Sequence, residues 1–111
     1  MIGKETAEHY IWGEVCDGWH LVKTAELSVI HERMPPGAKE VRHYHAKSRQ
    51  FFFVLKGAAT LETAGKREVL RKHEGAEVPP DVLHQMFNES DEAVEFLVVS
   101  QPASQGDGFS D

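Results

Sequence analysis

Residues 37–57 read GAKEVRHYHAKSRQFFFVLKG: two histidines one residue apart, then a five-residue run of Phe, Val and Leu closed by a glycine. A short run of aromatic and β-branched residues ending at Gly57 is the pattern of a strand. In an extended chain residues i and i+2 leave the same face, so His43 and His45 project together, about 7 Å apart along the backbone. Two imidazoles placed in this way can converge on one ion. They can equally be solvated or edge histidines with ordinary hydrogen-bond partners. The same alternation sends Gln50, Phe52 and Val54 to one face, and Phe51, Phe53 and Leu55 to the other.

Outward from this stretch the chain repeats one theme, short strands separated by turn residues. Upstream, Glu26 to Met34 reads as a strand with a Leu27, Val29, His31 face, stopped by Pro35-Pro36-Gly37. Before it, Trp19 to Lys23 and a segment around Tyr10 to Val15 have strand character. Downstream, Ala58 to Thr63 and Lys66 to Leu70 flank Ala64-Gly65 as a tight hairpin. Glu77-Val78 runs into Pro79-Pro80-Asp81, His84 to Asn88 is a short strand, and Val94 to Ser100 closes the series. No apolar residues recur at helical spacing over three turns. The pattern implies an all-β sandwich or barrel, with a core over about residues 19–100. Residues 101–111, nearly all polar, are expected to be a loosely ordered tail.

At 111 residues the chain has room for one domain with one core. A formal net charge of −6 and a pI near 5.6 exclude the basic stripe that a nucleic-acid surface needs, and they disfavour an anionic membrane surface. No apolar stretch approaches the roughly 20 residues of a membrane span, and the first residues lack the apolar region of a secretory signal. The single cysteine, Cys16, excludes an internal disulfide. The expected location is the cytoplasm.

Further features join the histidine pair. Gln50 opens the next strand and its amide oxygen can serve as a neutral ligand. His84 follows the Pro-Pro-Asp turn, where an antiparallel barrel can bring it alongside. Gly37, His43, His45, Gln50 and Gly57, in this order and spacing, resemble the first motif of the cupin family. Gly75, Pro79, Asp81, His84 and Asn88 resemble the second, with Asp81 in place of the usual glycine. The resemblance spans roughly Glu26 to Ser100. It implies a double-stranded β-helix, the jelly-roll barrel, with one divalent metal ion (Zn, Mn, Fe, Ni or Cu) held near one mouth by His43, His45, Gln50 and His84. The family's usual acidic ligand is Gln50 here.

Three neutral imidazoles and a neutral amide leave a divalent ion's charge uncompensated. Such a set favours Lewis-acid work or capture of an anionic ligand over oxygen activation. Similar cupins imply an isomerase or lyase acting on a small polar or sugar-acid-like substrate. The alternatives are a non-catalytic small-molecule binding or sensor module and a metal-dependent dioxygenase. Relatives of the isomerase or lyase kind carry an acid on the last strand facing the metal. In this chain the acid of that strand, Glu95, sits at its start, and no catalytic acid or base stands out. Phe52, Val54 and Met86 are expected to line the pocket. If the Val29 face looks inward, His31 and Arg33 join them, Arg33 as a fork for a carboxylate; otherwise Arg33 is a surface residue paired with an acid. His9, His20 and His73 read as solvated, Trp12 and Trp19 as caps of the barrel or of an interface, and Cys16 as a small buried or half-exposed residue. The outward Phe51 and Phe53 favour a two-fold homodimer.

Overall fold

The computed structural model describes residues 1–110, and among them there is no helix; none, therefore, is long and apolar enough to cross a membrane. Eleven strands follow in chain order: β1 (Glu8–Trp12), β2 (Cys16–Lys23), β3 (Ser28–Met34), β4 (His43–His45), β5 (Arg49–Lys56), β6 (Ala58–Thr63), β7 (Lys66–Arg71), β8 (Gly75–Val78), β9 (His84–Phe87), β10 (Val94–Gln101) and β11 (Gly108–Ser110). They form two antiparallel sheets, ordered β1-β2-β3-β10-β5-β8 and β11-β4-β9-β6-β7. The jelly-roll architecture expected above is present.

Alternation builds the core. On β10, Val94, Phe96, Val98 and Ser100 are buried while the residues between them are partly open. On β5 the buried set is Gln50, Phe52 and Val54. The two strands pair in a register that puts Phe52 opposite Val98 and Gln50 opposite Ser100. Met34, Leu61, Val78 and Met86 complete the interior, and burying each such side chain contributes about 1.5–3 kcal/mol.

Turns fall where the sequence placed them. Gly57 has φ 79°, and a Cβ there would stand 2.8 Å from the Ala93 carbonyl oxygen, so the β5–β6 corner requires glycine. Asp81 takes a left-handed φ of 67° in the turn before β9, the conformation expected of it in place of glycine. Asn88 ties the β9–β10 turn: its Nδ2 donates to the Met34 and Glu92 carbonyls at 2.9 and 2.7 Å, and its Oδ1 accepts from Ser90.

Two readings need correction. The first is the tail: β11 pairs with β4, placing Gly108 opposite His45. Asp107 accepts hydrogen bonds from the amides of Ala46, Lys47 and Ser48 at 3.2, 2.9 and 2.9 Å. A polar composition concealed this because the anchoring bonds go to backbone, which leaves no apolar signature. The second is the parity of β3. Ser28 and Met34 are buried, and Ile30 and Glu32 line an interior cavity, so the inward face is the opposite of the Val29, His31, Arg33 face.

A three-histidine centre and its cavity

β4 is three residues long and supplies two histidines, and β9 begins with the third, directly opposite His43 in register. The ring centroids of His43 lie 4.8 Å from His45 and 4.4 Å from His84, with 5.6 Å between His45 and His84. One nitrogen from each ring lies within 4.8 Å of the other two. Antiparallel pairing thus joins residues 41 positions apart at a single point.

The hydrogen bonds around these rings leave nitrogens directed at that point. His43 Nδ1 lies 2.6 Å from the Val41 carbonyl oxygen, and His84 Nδ1 lies 3.0 Å from that of Val82. Each contact makes Nδ1 the protonated nitrogen and leaves Nε2 with its lone pair, the arrangement that orients a metal-ligating imidazole. His84 Nε2 is buried without a partner, as are both ring nitrogens of His45. Burial holds His84 down to about pKa 4, and burial followed by the neighbouring His43 lowers His45. Neutral rings at neutral pH are what ligation requires.

Gln50 Nε2 donates to Ser100 Oγ at 3.0 Å, which fixes the amide and leaves Oε1 buried with no partner. A buried polar atom without a hydrogen bond costs about 1–3 kcal/mol. One nitrogen each of His45 and His84 and the Oε1 of Gln50 are therefore free for a group that satisfies them together. A divalent ion of the nitrogen-and-oxygen-binding class fits this donor set.

His43, His45 and Gln50 line a cavity of about 180 Å³, together with Phe52 and Val98. Tyr10, Glu32 and Glu40 also line it, none of them marked by sequence reasoning, as do Ile30, Ser100 and Ser104. Glu32 comes from β3, Glu40 from the loop before β4, and Tyr10 from β1. Burial pushes the Glu32 carboxyl up to about 7 against the Tyr10 hydrogen bond of 3.2 Å. Burial and then the charge of Glu32 push Glu40 up to about 8, although its Oε1 accepts the Met86 amide at 2.8 Å. Burial, then Glu32, raises the Tyr10 phenol well above its ordinary range.

Ile30-x-Glu32-x-Met34 was a signal for Glu32, but Leu27 and Val29 give the other parity equal apolar weight. Nothing in spacing marks Glu40. The acid sought on the last strand is not at the site: Glu95 lies outside the barrel, 2.7 Å from His31 Nε2 and 3.0 Å from Lys4 Nζ. His31 packs edge-on to Trp19, and Arg33 lies 3.7 Å from Asp17. Neither residue enters the pocket, because β3 presents its other face. Val54 and Met86 are fully buried in the core and do not line the cavity. Trp12 packs on the core with its Nε1 donating to the Asp17 carbonyl, whereas Trp19 lies outside beneath Lys4. Cys16 is buried, with its thiol pushed up to about 11 by burial, which removes it as a nucleophile.

An antiparallel jelly roll with a histidine triad of metal-ligand geometry near its β4–β9 seam defines the class of protein. The family model described as "Cupin domain" matches residues 30–100, and the chain belongs to the cupin family. It is 30% identical over 69 residues to the protein named Polyketide synthase CurC of Streptomyces cyaneus, a match over 62% of this chain that spans 45% of CurC's length. Among solved structures, an RmlC-like cupin from Shewanella frigidimarina superposes with a TM-score of 0.85 at 22% identity, covering 96% of this chain and 93% of that one. A cupin described as a sugar phosphate isomerase, from Silicibacter pomeroyi, superposes with a TM-score of 0.81 at 24% identity, covering 93% and 76%.

Proposed function

We propose that the protein is a metal-dependent enzyme that moves a proton next to a carbonyl or enol of a small polar, sugar-acid-like substrate, in the manner of an isomerase or lyase. One observation carries this reading: unpartnered atoms of His45 and Gln50 share one small cavity with two carboxyls that burial pushes up to about 7 and 8. His84, with its own unpartnered Nε2, stands against His43 and His45. His43, His45, His84 and Gln50 would hold one divalent ion. Bound there, the ion supplies a Lewis acid that polarises an oxygen of the substrate.

The carboxyls then divide the proton work. Without the ion, burial pushes Glu40 up to about 8 and Glu32 up to about 7, and a bound cation lowers both. Glu40, the one that holds its proton to higher pH, suits a general acid, while Glu32 suits a general base. The Tyr10 hydroxyl donates to Glu32 and steadies its charged form. Phe52 and Val98 wall the cavity and limit water beside the reacting atoms. The description of the Silicibacter protein as a sugar phosphate isomerase agrees with carbonyl chemistry of this kind.

The test is elemental analysis of the purified protein, followed by proton exchange from D2O into a panel of 2-oxo and enol sugar acids, read by NMR. The metal-loaded protein should exchange label. Glu32→Gln or Glu40→Gln should slow exchange by about 10²-fold or more with metal content unchanged, and His84→Ala should lose both. Metal and ligand binding without exchange would make the protein a binding module, and substrate-dependent oxygen uptake would make it a dioxygenase.

A further inference from the structure

Tyr10, Ile30 and Ser104 line the inner cavity and also line a second, more open chamber of about 740 Å³, so the two spaces adjoin at these residues. The outer chamber is walled by His20, Lys23, Thr24 and Ser28 on one side and by residues 103–105 on the other. No aspartate or glutamate lines it among the described residues, although the chain's formal net charge is −6.

Two of its residues have capacity for a ligand. His20 Nδ1 is enclosed without a hydrogen-bond partner, and the ring packs on Tyr10 at 4.9 Å. Lys23 Nζ lies 3.1 and 3.2 Å from the Glu8 carboxylate, with the two side chains 48% and 63% exposed. An ion pair so exposed is weak, so the ammonium can turn to a competing anion.

The neck between the chambers is built for one side chain. Tyr10 sits opposite Gly18, and a Cβ on Gly18 would fall 2.3 Å from the Tyr10 ring. The missing side chain lets the phenol lie across β2 and reach Glu32 on β3. The electrical layout is therefore graded, with carboxyls inside the neck and basic groups outside it.

We propose that the outer chamber is a distal subsite for a terminal oxyanion, bound by His20 and Lys23, of a substrate whose carbonyl end occupies the inner cavity. The outer groups attract an anion and no carboxylate among the described residues lines their chamber, so a two-ended substrate enters with its acidic far end outward. Tyr10 lies against its middle as a positioning residue. This rests on the function proposed above and adds the substrate class: a carbonyl compound with an acidic far end.

The test is calorimetric binding to zinc-loaded protein at low salt. One arm compares 2-oxo diacids of four to six carbons with 2-oxo monoacids of equal length, and the other compares ribose 5-phosphate with ribose. The charged member should bind roughly tenfold more tightly in at least one arm, the scale of a hydrogen bond to a charged group. The arm that responds identifies the oxyanion as carboxylate or phosphate. Lys23→Gln and His20→Gln should each shrink that ratio toward one, leaving zinc content and monoacid affinity unchanged. Equal affinities in both arms, or a preference that survives both substitutions, would overturn the subsite. Monoacid binding that does not depend on zinc would instead undo the metal-centred reading, and it leaves the charge ratio measurable on its own.

Discussion

Single side chains at the centre conflict with their surroundings in ways that titration can read. Glu40 has a folded pKa of about 8 against 4.5 when unfolded, so between these values the folded chain holds a proton that the unfolded chain has lost. Stability from this group therefore falls as pH rises from about 4.5 to about 8, and above 8 the full cost of the buried charge is present. In metal-free protein, Glu40→Gln keeps an acceptor for the Met86 amide and removes that cost. The variant should match the parent near pH 4.5 and exceed it at pH 8 by about 1 kcal/mol or more, a figure reduced because the residue is partly open. Melting temperatures across that range check the sign, and an advantage that shrinks with rising pH would refute it. Glu40 also shows where sequence reading stops at this scale. His43, His45, Gln50 and His84 are legible because strand alternation and motif spacing are local, whereas Glu40 reaches the cavity through a loop whose path no local pattern dictates.

Elements tie the candidate metal site to distant chain. β4 has three residues and lies between β11 and β9, so its two histidines depend on neighbours at both edges. On the β11 side Asp107 gathers three backbone amides of the turn that follows His45, and Ser48 Oγ donates to the Pro102 carbonyl at 2.7 Å. Asp107→Ala should weaken zinc binding about tenfold, the lower end for residues that hold ligands in place, with the fold retained. Competition with a chelator measures the affinity and circular dichroism the fold; unchanged affinity would make the tail a bystander. Strand positions from β2 to β10 were largely readable, because turn residues and period-two burial are local signals. β11 was not, since a Gly-Phe-Ser segment forms a strand here through a partner about 60 residues earlier.

Across the whole molecule, the outer face of the larger sheet bears on assembly. Val22 pairs with Val29, Val29 with Val99, and Val99 with Phe51, giving an apolar row across four strands. Phe51 is 41% exposed and stacks on Phe53 at 6.1 Å. We propose this contiguous apolar row as the seat of the two-fold homodimer expected from the sequence. Light scattering at micromolar concentration should give twice the 12.5 kDa chain mass, and Phe51→Glu should return it to a monomer with zinc content intact. A monomeric parent would exclude the dimer.

By itself the sequence determined the all-β barrel, the four ligand-type residues and the turns that reverse each strand, because these rest on alternation, backbone restriction and short spacing. The tertiary structure decided which face of β3 looks inward, and with it that Glu32 rather than His31 or Arg33 joins the cavity. It also decided that Tyr10, Glu40 and the tail converge on the centre. The physical reason is that a strand with apolar residues on both faces carries no information about its own orientation. Only the sheet packed against it chooses the face that loses water.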